Sequence, residues 1–367
     1  MTIRRFPRGF PQGSRCRRER YDEPLGRRPA RETRTRFGTR RPSIRPSPRP
    51  LAIRIHVTHE FPPLEAEFIA WLRGRLAADP RVPVGIGSDA AVLDLPSQKA
   101  VVTTDALMDG VDFVLSEVSP RRVGWKALAV NLSDLAAMGA KPVAAFISLV
   151  LPRENALALA QELYEGLLPL ALRFQVAIAG GDTNCWNGPL ALSVTAVGEP
   201  PRCGVWTRGR ARPGDLILAS GSFGGSILGK HLDFTPRVEL ARQLAERYEI
   251  HAATDVSDGL SLDLSHILSE SGVGAVLDLD AIAIADAARE LAQSRTDGIT
   301  PLDHALGDGE DFELLLVASP AEAARIASDK SLDAPVRPIG TITAERGLRG
   351  CYPGHPPTPL AIRGYQH

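Results

Sequence analysis

Lysine is absent from residues 1 to 56, cysteine occurs four times in 367 residues, and the 43 basic residues are cancelled by 43 acidic ones. No 18 or more uncharged apolar residues run together, which leaves nothing to form a membrane-spanning helix. Cys16, Cys185, Cys203 and Cys351 make no CxxC pair and no metal-ligand spacing, a usage that fits a reducing cytoplasm better than a disulfide framework. The missing net charge conceals two unlike regions. Residues 1 to 56 hold 17 Arg and 4 acidic residues, a net +13, whereas the remainder holds 26 basic and 39 acidic residues, a net −13. The first region is rich in Arg, Pro and Gly and has no hydrophobic period, so it is expected to be disordered. No apolar run of about 7–15 residues follows its charges, so no secretory signal is expected. A solvated tail, an address or a nucleic-acid-binding arm all remain open for it.

Apolar content of 44% with 23% charged residues is ordinary for a globular chain, and the length suffices for two cores. LEAEFIAWLRGRLA carries Phe68, Ile69, Leu72 and Leu76 at helical spacing. AAVLDL and KAVVTTDAL suggest a hairpin around Pro96 and Ser97. PVAAFISLVLP, QVAIAGG and LALSVTAVGEP suggest strands, with a helix over ENALALAQELYEGLLPLALRF. ARPGDLILASGSFGGSILG begins a second mixture of strands and helices after GEPPRCG. The expectation is a mixed α/β fold: an extension over 1–60, then domains over 61–204 and 205–367.

What the sequence does have is aspartate in apolar company. TDVSDGLSLDL carries Asp255, Asp258 and Asp263; GIGSDAAVL carries Asp89; VVTTDALMDGVDF carries Asp105, Asp109 and Asp112; VNLSDLAAMGA carries Asp134; IAGGDTN carries Asp182. A buried carboxylate without a partner is expensive. Five such neighbourhoods suggest a shared partner, and divalent cations take oxygen ligands. Thr103 and Thr104 could add hydroxyl ligands. In GWKALAVNLSDLAAMGA the spacing of Trp125, Leu128, Leu132 and Leu135 predicts a helix packed nearly all round, with Asn131 and Asp134 on one face. The glycines of GGDTN would let backbone approach a ligand, with Asp182 at the carboxyl end of a strand. Ser257 or Asp258 is an expected N-cap for the following helix, a role that leaves Asp255 unexplained. GGSILGKH fits G-x-x-x-x-G-K but puts His231 where a phosphate loop needs Ser or Thr. Leu228 and Leu232 predict a helix running through Lys230, and the glycines read as a strand-to-helix turn. GDGEDFELLL places Asp308, Glu310, Asp311 and Glu313 at the start of a strand, either as a solubilising edge or with a carboxylate facing a cleft.

GIGSDAAVL, TTDALMDGVDF, WKALAVNLSDLAAMGA, GGDT, TRGRARPGD, DVSDGL and GEDFELLL occur in the order and spacing of the thiamine-monophosphate kinase family. That family belongs to the superfamily of aminoimidazole ribonucleotide synthetase. The resemblance runs from about Glu65 to the C-terminus. It implies two α/β domains, the first forming a homodimer by pairing its sheet with its twin's, and a nucleotide cleft between domains. The implied reaction is phosphorylation of thiamine monophosphate by ATP with several Mg2+ ions, by direct in-line transfer and with no side-chain general base. It further implies a cytoplasmic enzyme with no membrane or nucleic-acid partner. Asp89, Thr103, Thr104, Asp105, Asp134, Asp182, Asp255 and Asp258 match its metal positions. Tyr164, Gly181, Asp182, Arg208 and Ser257 match ATP contacts, and Glu310 and Tyr365 match substrate contacts. Asp112 stands where the family often has a substrate-contacting His, Ser88 replaces one acid of GDDAA, and Asp308 is added in GDGED. A related enzyme with another substrate and a non-catalytic nucleotide binder are the alternatives. Selenophosphate synthetase would need a reactive Cys beside a Lys, a setting Cys16 lacks. The hydrogenase-maturation relative ends in a functional Cys, whereas this chain ends GYQH.

Overall fold

A largely buried helix lies where two β-sheets meet, and the rest of the architecture follows from burying it on both sides. The computed structural model describes residues 64–82, 93–96, 99–294 and 298–365. The Arg-rich extension, Ser88 and Asp89 lie outside the described residues. After α1 (Leu64–Arg73) come β1 (Val101–Met108), α2 (Pro120–Ala137), β2 (Lys141–Pro152), α3 (Ala156–Arg173), β3 (Ala177–Trp186) and β4 (Ala191–Glu199). These strands form one sheet in the order β1-β4-β2-β3. β2 and β3 are parallel, as the α3 crossover requires, and β4 runs antiparallel to β1 and β2.

A second sheet follows from β5 (Leu216–Ser220), β6 (Ala252–Asp255), β7 (Gly274–Asp278), β8 (Leu314–Ala318), β9 (Val336–Thr343), β10 (Gly347–Cys351) and β11 (Thr358–Pro359). Its order is β11-β10-β7-β9-β5-β8-β6. Its helices are α4 (Lys230–Asp233), α5 (Val238–Arg247), α6 (Leu260–Ser271), α7 (Asp286–Ser294), α8 (Pro301–Gly307) and α9 (Pro320–Ser328). α2 packs against β1, β4 and α3 on one side and against β6 and β8 on the other. Leu128, Leu132 and Leu135 are fully buried there, each contributing about 1.5–3 kcal/mol relative to exposure. Gly124 and Gly166 set how closely α2 and α3 cross: a Cβ on either would lie within 2 Å of a carbonyl oxygen on the other helix.

Four local expectations are corrected. Leu93 to Leu95 form no strand, and β1 takes β4 as its neighbour instead of a hairpin partner. β3 continues past its glycines to Trp186, so Asp182 is within the strand and not at its end. The helix expected through Lys230 is broken by Gly229, and α4 begins only at the lysine. Neither Ser257 nor Asp258 caps α6: the N-cap is Gly259, and the Asp263 carboxylate accepts the N–H groups of Asp258 and Gly259, both at 3.0 Å. An acid one turn into the helix does the capping from inside. Among the described residues no helix is long and apolar enough to cross a membrane.

Candidate active site

Adjacent residues of α2 reach toward different sheets. Ser133 donates to Asp255 Oδ2 at 2.5 Å, at the end of β6, while Asp134 Oδ2 accepts from Thr103 of β1 at 2.5 Å. Between them opens a cleft of about 630 Å³ whose lining includes Thr103, Asp134, Thr207, Arg208, Thr254 and Asp255. Strand alternation puts Asp105 on the same face of β1 as Thr103 and turns Thr104 to the other. The Thr104 hydroxyl accordingly donates to the Val194 carbonyl at 3.2 Å and lies 3.0 Å from the Thr195 hydroxyl.

The carboxylates of this cleft are under strain. Burial pushes Asp255 up to about 8, reinforced by the charge of Asp134. Burial likewise raises Asp105 to about 7, with Asp134 and Asp112 adding repulsion. Asp134 is raised by burial against the opposing pull of the Thr103 hydrogen bond and the Arg208 charge. Asp105 Oδ2 and Asn131 Oδ1 are buried with no hydrogen-bond partner. Among the described residues no three His, Cys, Asp or Glu side chains converge as a ready-made metal cage. Crowded carboxylate oxygens, one of them orphaned, nevertheless fit hard divalent cations, which would relieve the repulsion that burial and proximity create.

A second group lies along the loop between β6 and α6. The Ser257 carbonyl accepts the Glu310 N–H at 2.6 Å, and the Asp258 carbonyl accepts the Tyr365 N–H at 2.9 Å. Tyr365 itself is half-exposed. Glu310 sits in the left-handed region at φ 53°, between Gly309 at 76° and a second strained residue, Phe312, at 51°. Its carboxylate is 2.5 Å from the Lys126 ammonium and 3.2 Å from His231 Nδ1. Those two neighbours hold it below the usual carboxylate range although burial pushes the other way. Asp112 bends back on its own turn, its carboxylate accepting the Met108 N–H at 2.7 Å, while its carbonyl accepts from Lys126 at 3.0 Å. The sequence reading missed Lys126 and His231. The available signal was a lone lysine on a helix otherwise expected to be buried.

Several expected site residues are placed elsewhere. Tyr164 is buried in the core, edge-on to Phe68 with ring centroids 5.3 Å apart. Gly181 and Asp182 lie on β3, at the opposite edge of the first sheet from Thr103, about 14 Å across the sheet at about 4.8 Å per strand, and Asp182 is level with Ala106. Gly181 is needed there for packing, because a Cβ would fall 1.9 Å from the Ile147 carbonyl oxygen. The glycine-rich segment before Lys230 is occupied by the protein's own acids. Gly224 N–H bonds both oxygens of Asp311 at 3.0 Å, and Gly225 N–H bonds Asp308 at 2.8 Å. These glycines adopt φ 88° and 74°, and a Cβ on either would meet backbone under 3 Å away. Asp311 and Glu313 precede β8, a central strand, so neither is a solubilising edge residue.

Two family models match this chain: the N-terminal domain of AIR synthase related protein over residues 87–199, and its C-terminal domain over residues 212–351. The thiamine-monophosphate kinase of Rhodopirellula baltica is 47% identical over 295 residues, which cover 78% of this chain and 91% of that protein. The crystal structure of the Stenotrophomonas maltophilia K279a thiamine-monophosphate kinase is 36% identical, with a TM-score of 0.68, covering 80% of this chain and 96% of that one. The structure of AaThiL complexed with AMPPCP and TMP is 27% identical, with a TM-score of 0.65, covering 83% and 96%. With both domains matched and close relatives spanning most of its length, the chain belongs to the thiamine-monophosphate kinase family.

Proposed function

We propose that this chain phosphorylates thiamine monophosphate with ATP, giving thiamine diphosphate, and that the reaction takes place in the cleft beside α2. The observation that carries this reading is the cleft lined by Asp134 of α2 and Asp255 of β6, with Asp105 of β1 near enough to feel the Asp134 charge and carrying an orphaned carboxylate oxygen. Two phosphate-bearing reactants repel each other. Magnesium, when bound, would neutralise and align their phosphates. Asp105, Asp134 and Asp255 would hold it, with Thr103 orienting Asp134; the family resemblance adds Asp89 and Asp258, whereas Thr104 faces away from the cleft and Asp182 lies at the far edge of the first sheet.

The residues of this chain supply placement. Arg208 lines the cleft and brings positive charge toward the transferred phosphate. Glu310 suits the cationic end of thiamine, and the Tyr365 ring offers a flat face to it. An attacking phosphate is already an anion, so no side-chain base is required, and rate comes from alignment and charge neutralisation. The domain division at residues 204 and 205 assigns the metal helix to the first domain and the substrate carboxylate to the second. A homodimer is supported by the outer face of the first sheet, where Val102 and Met108 are exposed beside Thr104. A cytoplasmic site fits the sparse cysteine.

The test is incubation of purified protein with ATP, thiamine monophosphate and magnesium, with the product identified by mass. Thiamine diphosphate is the expected product. Magnesium-dependent ATP binding without it would retain the scaffold and reject the substrate, with Asp112 the first residue to exchange.

A further inference from the structure

We propose that Lys126 and His231 are positioning residues for the substrate-facing carboxylate of Glu310, an inference that rests on the reading of Glu310 given above. Lys126 is completely buried on α2. An ammonium there is tolerated only if its charge and all its N–H groups are matched. Its Nζ has three donors and three acceptors: Glu310 Oε1 at 2.5 Å, the Asp112 carbonyl at 3.0 Å and His231 Nδ1 at 3.2 Å. Three chain regions, around Asp112 and Lys126, around His231 and around Glu310, thus converge on one ammonium–carboxylate pair.

Stability alone gives a poor account of this arrangement, since a buried ion pair is often no better than apolar residues of similar volume. The backbone at Glu310 is also strained, held by its N–H bond to the Ser257 carbonyl and by Ser226 donating to the Gly309 carbonyl at 2.6 Å. The two carboxylate oxygens differ in kind. Oε1 is anchored by Lys126. Oε2 lies 3.2 Å from His231 Nδ1, but that nitrogen cannot accept from Lys126 and donate to Glu310 at once. When His231 accepts from Lys126, Oε2 is left to take another donor or a cation. The side chain of Glu310 is about one-third exposed, and Oε2 is the oxygen with bonding capacity left for a ligand. Lys126 and His231 together fix one oxygen and leave the other exchangeable, which matches a substrate group that is cationic or donates hydrogen bonds.

The test is a double-mutant cycle on the full-length protein, measuring KM separately for thiamine monophosphate and ATP. Lys126→Met is expected to raise KM for thiamine monophosphate about 10-fold or more, the order expected for truncating one partner of a buried charge pair, without moving KM for ATP. In a Glu310→Gln background the same change should add nothing. Effects that multiply in the double variant, or a KM for ATP that rises equally, would overturn the inference. If thermal unfolding shows that Lys126→Met does not fold, His231→Leu carries the cycle: its effect on KM for thiamine monophosphate should vanish beside Glu310→Gln, and persistence would overturn the inference. A wild type that forms no thiamine diphosphate would remove the reading of the substrate, and this inference with it, before any variant is compared.

Discussion

Two clusters of acidic side chains lie in this molecule, and they are solved in opposite ways. Around the glycine-rich segment, Asp311 takes the Gly224 N–H, Asp308 takes the Gly225 N–H and pairs with His304 at 2.9 Å, and Glu313 takes Arg237 through both oxygens at 2.6 and 2.7 Å. Ser220 and Lys230 complete the shell of Glu313. Beside α2, Asp105, Asp134 and Asp255 have two hydroxyl partners, one exposed arginine nearby and an orphaned oxygen. Carboxylates satisfied by their own chain hold a fold together. Carboxylates left short of positive charge are waiting for something the chain does not supply.

The largest expected effect comes from the unsatisfied cluster. Asp134→Asn should lower thiamine diphosphate formation by about 10² or more, as when one electrostatic contact to a transition state is lost. The same change removes repulsion, so the metal-free unfolding midpoint should not fall; a clear drop would place Asp134 among the structural acids. In the satisfied cluster the expectation reverses. Glu313→Gln leaves Arg237 and Lys230 without their shared carboxylate and should destabilise the protein by about 3–5 kcal/mol in urea unfolding, while molecules that remain folded keep turning over substrate.

Acidity separates the clusters less cleanly, because burial also raises Asp311 of the satisfied one to about 7. Asp255 is raised to about 8 and Asp105 to about 7 in the folded chain, from an ordinary 3.8. Between those values the folded state holds more protons than the unfolded one, so metal-free stability should decline as pH rises from about 4 to about 8. Below the ordinary value both states are protonated and the penalty vanishes. Unfolding midpoints in chelator across that range check the sign, and magnesium should restore most at the alkaline end. A midpoint that climbs with pH would mean that these acids are paired after all. The smallest effect is expected at Asp308: its replacement by Asn should cost only about 1 kcal/mol and leave KM for thiamine monophosphate unmoved, because its carboxylate already belongs to His304 and Gly225.

Much of this division could be read in the sequence, but unevenly. The buried helix around Asp134 was legible because a run from Ala127 to Ala140 with one charge can only be packed on most sides. The strands and their mixed α/β order were legible from apolar runs. Pairing was not: that β1 takes β4 as its neighbour, and that Asp182 stands across the sheet from Thr103, depends on long-range register that no local pattern carries. Thr104 is a different case: KAVVTTDAL was already expected to be a strand, and period-two alternation within it turns Thr104 away from Thr103. Lys126 and Glu310 are 184 positions apart, with His231 between them, and the three meet only through tertiary packing. The acids of GDGEDFE looked like those of the cleft in sequence, and only their partners tell them apart.

The most direct measurement pairs turnover with the unfolding midpoint for Asp134→Asn and Glu313→Gln, both scored against wild type per folded molecule. Asp134→Asn should keep its midpoint and lose thiamine diphosphate formation, and Glu313→Gln should do the reverse. If instead Asp134→Asn unfolds early yet remains active, or Glu313→Gln stays stable yet fails to turn over, the two clusters have been assigned the wrong way round.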